Sequence, residues 1–127
     1  MPFNWKDYKE IADFLKEQGD NGVFSEASYR SAVSRYYYAA FCHARNYARD
    51  GKEINVPTYK PSYSGEDHRR IIEHYKNYFK VFGNVHSNLY RLLELRGECD
   101  YNDEVDDHAG KATMAESLTQ SILVKLP

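Results

Sequence analysis

Apolar residues recur along this chain at the three- and four-residue spacing of helices, and no segment alternates with the period of two that marks a half-buried strand. In residues 5–17, Tyr8, Ile11, Ala12 and Leu15 fall on one stripe, flanked by Trp5 and Phe14. Asn4 stands where an N-cap belongs, and the GDNG run from Gly19 to Gly22 supplies the stop. A second helix is expected from Ser25, with Ser28 as the alternative cap, to about residue 50, before Gly51. Its apolar positions are Tyr29, Ala32/Val33, Tyr36/Tyr37, Ala40/Phe41, Ala44 and Tyr47/Ala48. They cover more than one face, as in the central helix of a bundle.

Residues 53–63 carry two prolines and no periodicity, which reads as a long loop. Ser64, Gly65, Glu66 and Asp67 resemble a capping start for a third helix through Ile71, Ile72, Tyr75, Tyr78 and Phe79 to about Phe82, closed by Gly83. Residues 84–101 form the fourth expected helix, with Val85, Leu89, Leu92/Leu93 and Leu95 inward. A polar break, DEVDDHAG, precedes a last helix over residues 111–126, with Met114/Ala115, Leu118, Ile122 and Leu126 on one side. No repeat is visible. The expectation is an all-α, up-and-down bundle of four or five helices, a single domain over residues 1–127.

Composition refines this picture. The chain is polar, with mean hydropathy −0.77, yet 42% of its residues are hydrophobic, enough for a core. Tyrosine is over-used, at 12 residues, and suits cores with wet edges or surfaces on which bases stack. The net charge of −2 argues against a generic nucleic-acid binder, but its distribution is uneven. Residues 25–93 hold 11 Lys and Arg against 6 acids, whereas residues 94–107 hold 7 acids against a single Arg. A basic middle is therefore followed by an acidic patch. Cys42 and Cys99 form no CxxC pair, and no segment has the length and apolarity of a membrane span or signal peptide. The expected location is cytoplasmic, with free thiols.

Two segments carry the candidate chemistry. The first is SYRSAVSRYYYAAFCHARNYA, residues 28–48, in which a Ser/Arg-rich start leads into paired tyrosines, a small residue and Phe-X-X-Ala. The second is the helix end at Leu95, Arg96, Asp100 and Tyr101, with an isolated His68 before an apolar run between the two. In this order, over residues 25–126, the chain resembles the HEPN family of small helical bundles, closest to the stand-alone prokaryotic members encoded beside nucleotidyltransferases.

That resemblance implies a homodimer with a composite cleft, no cofactor, RNA as ligand, and a toxin–antitoxin or defence setting with a nucleotidyltransferase as antitoxin partner. In active members it implies a metal-independent endoribonuclease that uses an Arg-X4–6-His motif from each subunit. Arginine grips phosphate bidentately and histidine moves protons near neutral pH, so the pairing is chemically sensible. On this chain the catalytic candidates are Arg96, Tyr101 and His68, and the binding candidates are Arg35, Asp100, Asn102 and Ser34.

The sequence departs from the family at one point. Arg96 is followed by Gly97, Glu98, Cys99, Asp100, Tyr101, Asn102 and Asp103, with no histidine at the expected distance. This supports the alternative of a catalytically silent HEPN module that binds a partner protein, such as the nucleotidyltransferase, or a nucleotide. The one literal Arg-X4-His, Arg69 to His74, falls on the third expected helix, where the family does not usually keep its site. Arg96 and Asp100 are also spaced to form an ordinary ion pair along a helix. The Asp100–Asp106 acidic run lacks the glycine and the final glutamate of a calcium loop, and no metal is expected.

Overall fold

The computed structural model describes residues 3–51, 65–77 and 82–127. Five helices make up the bundle: α1 (Lys6–Asp20), α2 (Ser25–Asp50), α3 (Gly65–Asn77), α4 (Val85–Tyr101) and α5 (His108–Lys125). There is no strand among the described residues. The expected loop over residues 53–63 lies outside them, as do Ser64, Tyr78 and Phe79 of the expected third helix.

Helix ends differ from the sequence reading for local reasons. Asn4 does serve the start of α1, its Oδ1 accepting from the Lys6 amide at 3.1 Å. At the far end α1 runs on through Gly19 to Asp20, and the stop falls at Gly22, whose φ of +82° a side chain would resist. Gly19 stays helical because its bare Cα admits the ring of Tyr29; a Cβ there would lie 2.8 Å from that ring. Ser25 and Ser28 do not cap α2. Their hydroxyls turn back and donate to the carbonyls of Gly19 (2.9 Å) and Val23 (2.8 Å), which stitches the α1–α2 turn instead. The residue before α2 is Phe24, in the left-handed region at φ 42°. Helix α5 begins three residues before the expected Lys111, because Asp107 caps it by accepting from the Gly110 amide at 3.2 Å.

Helix α2 is the axis of the molecule. Tyr29, Ala32, Val33, Tyr36, Tyr37, Ala40, Phe41, Ala44 and Ala48 are all buried. Around them pack Ala12 of α1, Ile71, Ile72 and Tyr75 of α3, Val85, Leu89, Leu92 and Leu95 of α4, and Ala112, Ala115 and Ile122 of α5. The alanines let neighbouring backbones come close; the aromatic rings fill the gaps between them. The inner line of α1 runs through Tyr8, Ala12, Leu15 and Gly19, whereas Ile11 (51% exposed) and Phe14 (56%) face outward, against the expectation for Ile11. Met114 of α5 likewise faces outward, while Ala115 is buried beside it.

Contacts give each helix its sense. Tyr29 meets Gly19 and Arg45 meets Trp5, so α1 and α2 are antiparallel. Arg30 bonds to Cys99 and, further along α2, Tyr38 meets Arg96, so α4 also runs against α2. Glu26 faces His108, Tyr36 faces Thr119 and His43 faces Leu126, so α5 runs parallel to α2. Along α3, His68 meets Tyr37 and Tyr75 meets Ala44, so α3 also advances with α2.

Among the described residues the buried tyrosines all find partners for their hydroxyls, as burial of a phenol demands. Tyr36 donates to Asp13 and lies 3.2 Å from Glu116, tying α1, α2 and α5 together. Tyr75 donates to the Ala44 carbonyl, and Tyr29 to Asp20 at 2.7 Å.

Two glycine substitutions should separate packing from propensity. Gly19→Ala drives a methyl into the ring of Tyr29, which its bond to Asp20 and its stack on His108 hold in place, and should lower stability by about 1–3 kcal/mol. Gly97→Ala meets no atom within 4 Å and should raise stability by about 0.5–1 kcal/mol. Denaturant midpoints of the two variants against the parent chain check both signs.

Candidate functional site

The second half of α4 and the first half of α2 form one surface. Arg30, Ser34, Tyr38 and Phe41 recur every three or four residues on α2, and Arg96, Asp100 and Tyr101 sit at the C-terminal end of α4. Arg30 joins the two helices. Its Nε donates to the Cys99 carbonyl at 2.7 Å and an Nη to the Asn102 carbonyl, while its other Nη contacts Glu26 at 3.1 Å. A guanidinium therefore satisfies carbonyls that the end of α4 would otherwise leave open, and its charge complements the negative end of the helix dipole.

With the helix end fixed, Arg96 is held from three sides. Its Nε lies 2.8 Å from Asp100 Oδ2, a close charge contact in which the N–H is not aligned as a hydrogen bond. Its Nη2 donates to the Tyr101 hydroxyl at 3.3 Å. Its guanidinium carbon stands 5.3 Å from the ring centres of both Tyr38 and Tyr101, so the cation is flanked by two aromatic faces. Ser34 donates to the same Asp100 oxygen at 3.3 Å. Tyr101 is 72% exposed and forms the outer wall. Next to this cluster a cleft of about 480 Å³ is lined by Glu26, Ala27, Arg30, Ser31, Cys99 and Asp100.

His68 reaches the cluster through Tyr38, its ring 6.4 Å from that of Tyr38 and edge-on to it. It is only 8% exposed. It lies flat on Phe41 at 4.2 Å, stacks on Tyr37 at 5.8 Å, and its Nδ1 is hydrogen-bonded to the Tyr37 hydroxyl. Burial, and then the nearby charge of Arg96, push its pKa below the ordinary 6.5, with Asp67 opposing and Arg45 adding to the shift. The imidazole is neutral at pH 7 and packed as a core aromatic.

The structure thus brings together Arg96, Asp100, Tyr101 and Ser34, with His68 behind them. Arg35 is elsewhere, on the α1 side of α2, its guanidinium 5.2 Å over Tyr8. Asn102 contributes only its backbone carbonyl, to Arg30. Arg69 is exposed while His74 is buried against Tyr75, so the literal Arg-X4-His pair does not converge. The clamp role of Arg30 was missed in the sequence; the four-residue spacing of Arg30, Ser34 and Tyr38 is the signal that could have found it. Among the described residues no group of three or more His, Cys, Asp or Glu side chains could hold a metal, and no helix is long and apolar enough to cross a membrane. Cys42 and Cys99 are buried and unpaired, and burial raises both thiol pKa values, that of Cys42 to about 11.

Neither a family model nor a solved structure matches the chain. It is similar to an uncharacterized protein of Methanocaldococcus jannaschii, 27% identical over 124 residues that cover 90% of this chain and 69% of that protein.

Two measurements probe the site's construction. Because the folded pKa of His68 is depressed, the stability it contributes is full above 6.5 and is lost as pH falls through the folded value. NMR titration should therefore place the His68 midpoint below 6.5, with the unfolding free energy declining over that acidic window; a midpoint above 6.5 would contradict the buried geometry. Arg30→Ala leaves the α4 carbonyls without their donor and should destabilise by about 1.5–3 kcal/mol, with faster amide exchange confined to the last turn of α4.

Proposed function

We propose that this chain is a HEPN-like RNA-binding protein whose Arg96 cluster holds the phosphate and a neighbouring base of single-stranded RNA. The observation that carries this reading is the guanidinium of Arg96 fixed between Tyr38 and Tyr101 at the surface, with Tyr101 largely exposed. Arginine next to an open aromatic face is a general solution for unstacked nucleotides: the cation takes the phosphate and the ring takes the base. Ser34 adds a hydroxyl, and Asp100 orients Arg96 from the side of its Nε.

The same geometry favours binding over cleavage. Strand scission needs a base within hydrogen-bond reach of the 2′-hydroxyl. His68 is stacked between Phe41 and Tyr37, with one ring nitrogen engaged by a phenol, which suits a core residue better than a proton shuttle. The absence of a histidine after Arg96 agrees with this. Asp100 also cancels the charge of Arg96, so stacking and direct contact outweigh long-range attraction.

These features set the expected behaviour with a labelled single-stranded RNA pool in EDTA. Wild-type protein binds without cutting, and Arg96→Ala and Tyr101→Ala each weaken binding about tenfold with the fold retained. The salt dependence of the affinity is shallow, with a log–log slope of about −0.7 to −1.4, as for one or two phosphates. Cleavage by wild type that disappears in Arg96→Ala would replace this reading with the metal-independent endoribonuclease. Equal RNA affinity of wild type and Arg96→Ala would remove the site assignment.

A further inference from the structure

A second cavity, of about 530 Å³, opens where the N-terminal end of α1 meets the C-terminal end of α2. Its size is that of a small-molecule site, and its α2 wall begins at His43, about one and a half helical turns beyond Tyr38. Its walls are of two kinds. Phe3 and Trp5 meet edge to face at 4.8 Å on one side, and Tyr47, braced at 5.9 Å by the ring of Phe82, stands with them. Phe3 is 52% exposed and Tyr47 37%, so both rings offer faces to whatever enters.

The polar wall is donor and acceptor side by side. Asn46 Oδ1 accepts from Arg45 Nε at 3.0 Å, which fixes the orientation of the amide and leaves its N–H groups as donors. Asp50 receives Arg49 Nε on one oxygen at 3.3 Å and keeps a second oxygen as acceptor. Arg45, which does not itself line the cavity, stands with its guanidinium 5.5 Å over the ring of Trp5.

An apolar ligand would leave the carboxylate and amide unmatched, and a simple anion would meet Asp50. A flat heterocycle with donors and an acceptor on one edge satisfies both walls. Guanine has this edge: two adjacent N–H donors suit a carboxylate, and the neighbouring carbonyl oxygen suits an amide N–H. Adenine would turn a ring-nitrogen lone pair toward Asp50 instead. We infer that this cavity binds a guanine base, stacked against Tyr47 and the Phe3–Trp5 pair and read by Asp50 and Asn46. The base arrives either on a free nucleotide or on RNA.

Trp5 is the chain's only tryptophan, so its emission reports this cavity directly. Titration of the full chain with guanosine monophosphate should give a saturable change, with adenosine monophosphate at least about tenfold weaker. Asp50→Asn alters a side chain that is 72% exposed, keeps the fold, and should remove the preference for guanine. Tyr47→Ala, with folding checked by circular dichroism, should weaken both ligands. Saturation by the mononucleotide identifies a free-nucleotide site; saturation only by a guanine-containing oligonucleotide, and not by its adenine counterpart, identifies an RNA base site. Equal response to the two bases, or an Asp50→Asn variant that still prefers guanine, overturns the assignment. So does the absence of saturation by any of these ligands, with equilibrium dialysis agreeing. Arg96→Ala should leave the mononucleotide titration unchanged, which separates this cavity from the surface at the end of α4.

Discussion

The structure depends on one constraint: α2 is enclosed by the other four helices and has little surface left for solvent. A helix in that position has to be thin where its neighbours approach and must satisfy every polar atom it carries inward. Ala32, Ala39, Ala40, Ala44 and Ala48 meet the first demand. Tyr36, Tyr37 and Thr119 of α5 meet the second, reaching respectively to carboxylates, to an imidazole and to a main-chain carbonyl of α2. Tyrosine is frequent here because a phenol spans the gap left beside an alanine and still ends on a hydrogen-bonding group.

The surface at the end of α4 follows from the same arrangement. Arg30 leaves the enclosed face of α2 only to bind carbonyls of α4, and this contact sets where Arg96, Asp100 and Tyr101 stand. Arg96 and His68 share Tyr38 as a neighbour but occupy different environments, one at the rim and one in the core. Their proximity is felt electrostatically, in the depressed pKa of the histidine, without placing both on one accessible face.

Much of this was legible in the sequence because helical periodicity is a local property. The five helices, the enclosed character of α2 and the pairing of Arg96 with Asp100 all follow from three- and four-residue spacing. What was not legible depended on partners distant in the chain. Ser25 reads as a cap, but the carbonyl of Gly19 claims its hydroxyl. Ile11 and Ala12 both fit the stripe of α1, and only the close approach of α2 selects the smaller residue for the interior. Arg35 and Arg30 look equivalent beside the tyrosines, yet they lie on opposite sides of α2, one over Tyr8 and the other against the end of α4.

The parallel course of α5 beside α2 has a consequence for how the molecule comes into being. Tyr36 and His43 are sealed by Thr119, Glu116 and Leu126, partners roughly eighty positions later in the chain. During synthesis from the N-terminus, α1 and α2 can pair early, but one flank of α2 stays uncovered until α5 has left the ribosome. Contacts this far apart in sequence slow folding and lengthen the time for which apolar surface is open to other chains. The polar groups on this flank of α2 are thus completed last, and a nascent chain halted before α5 presents to its surroundings the alanine- and tyrosine-lined groove that the finished protein hides.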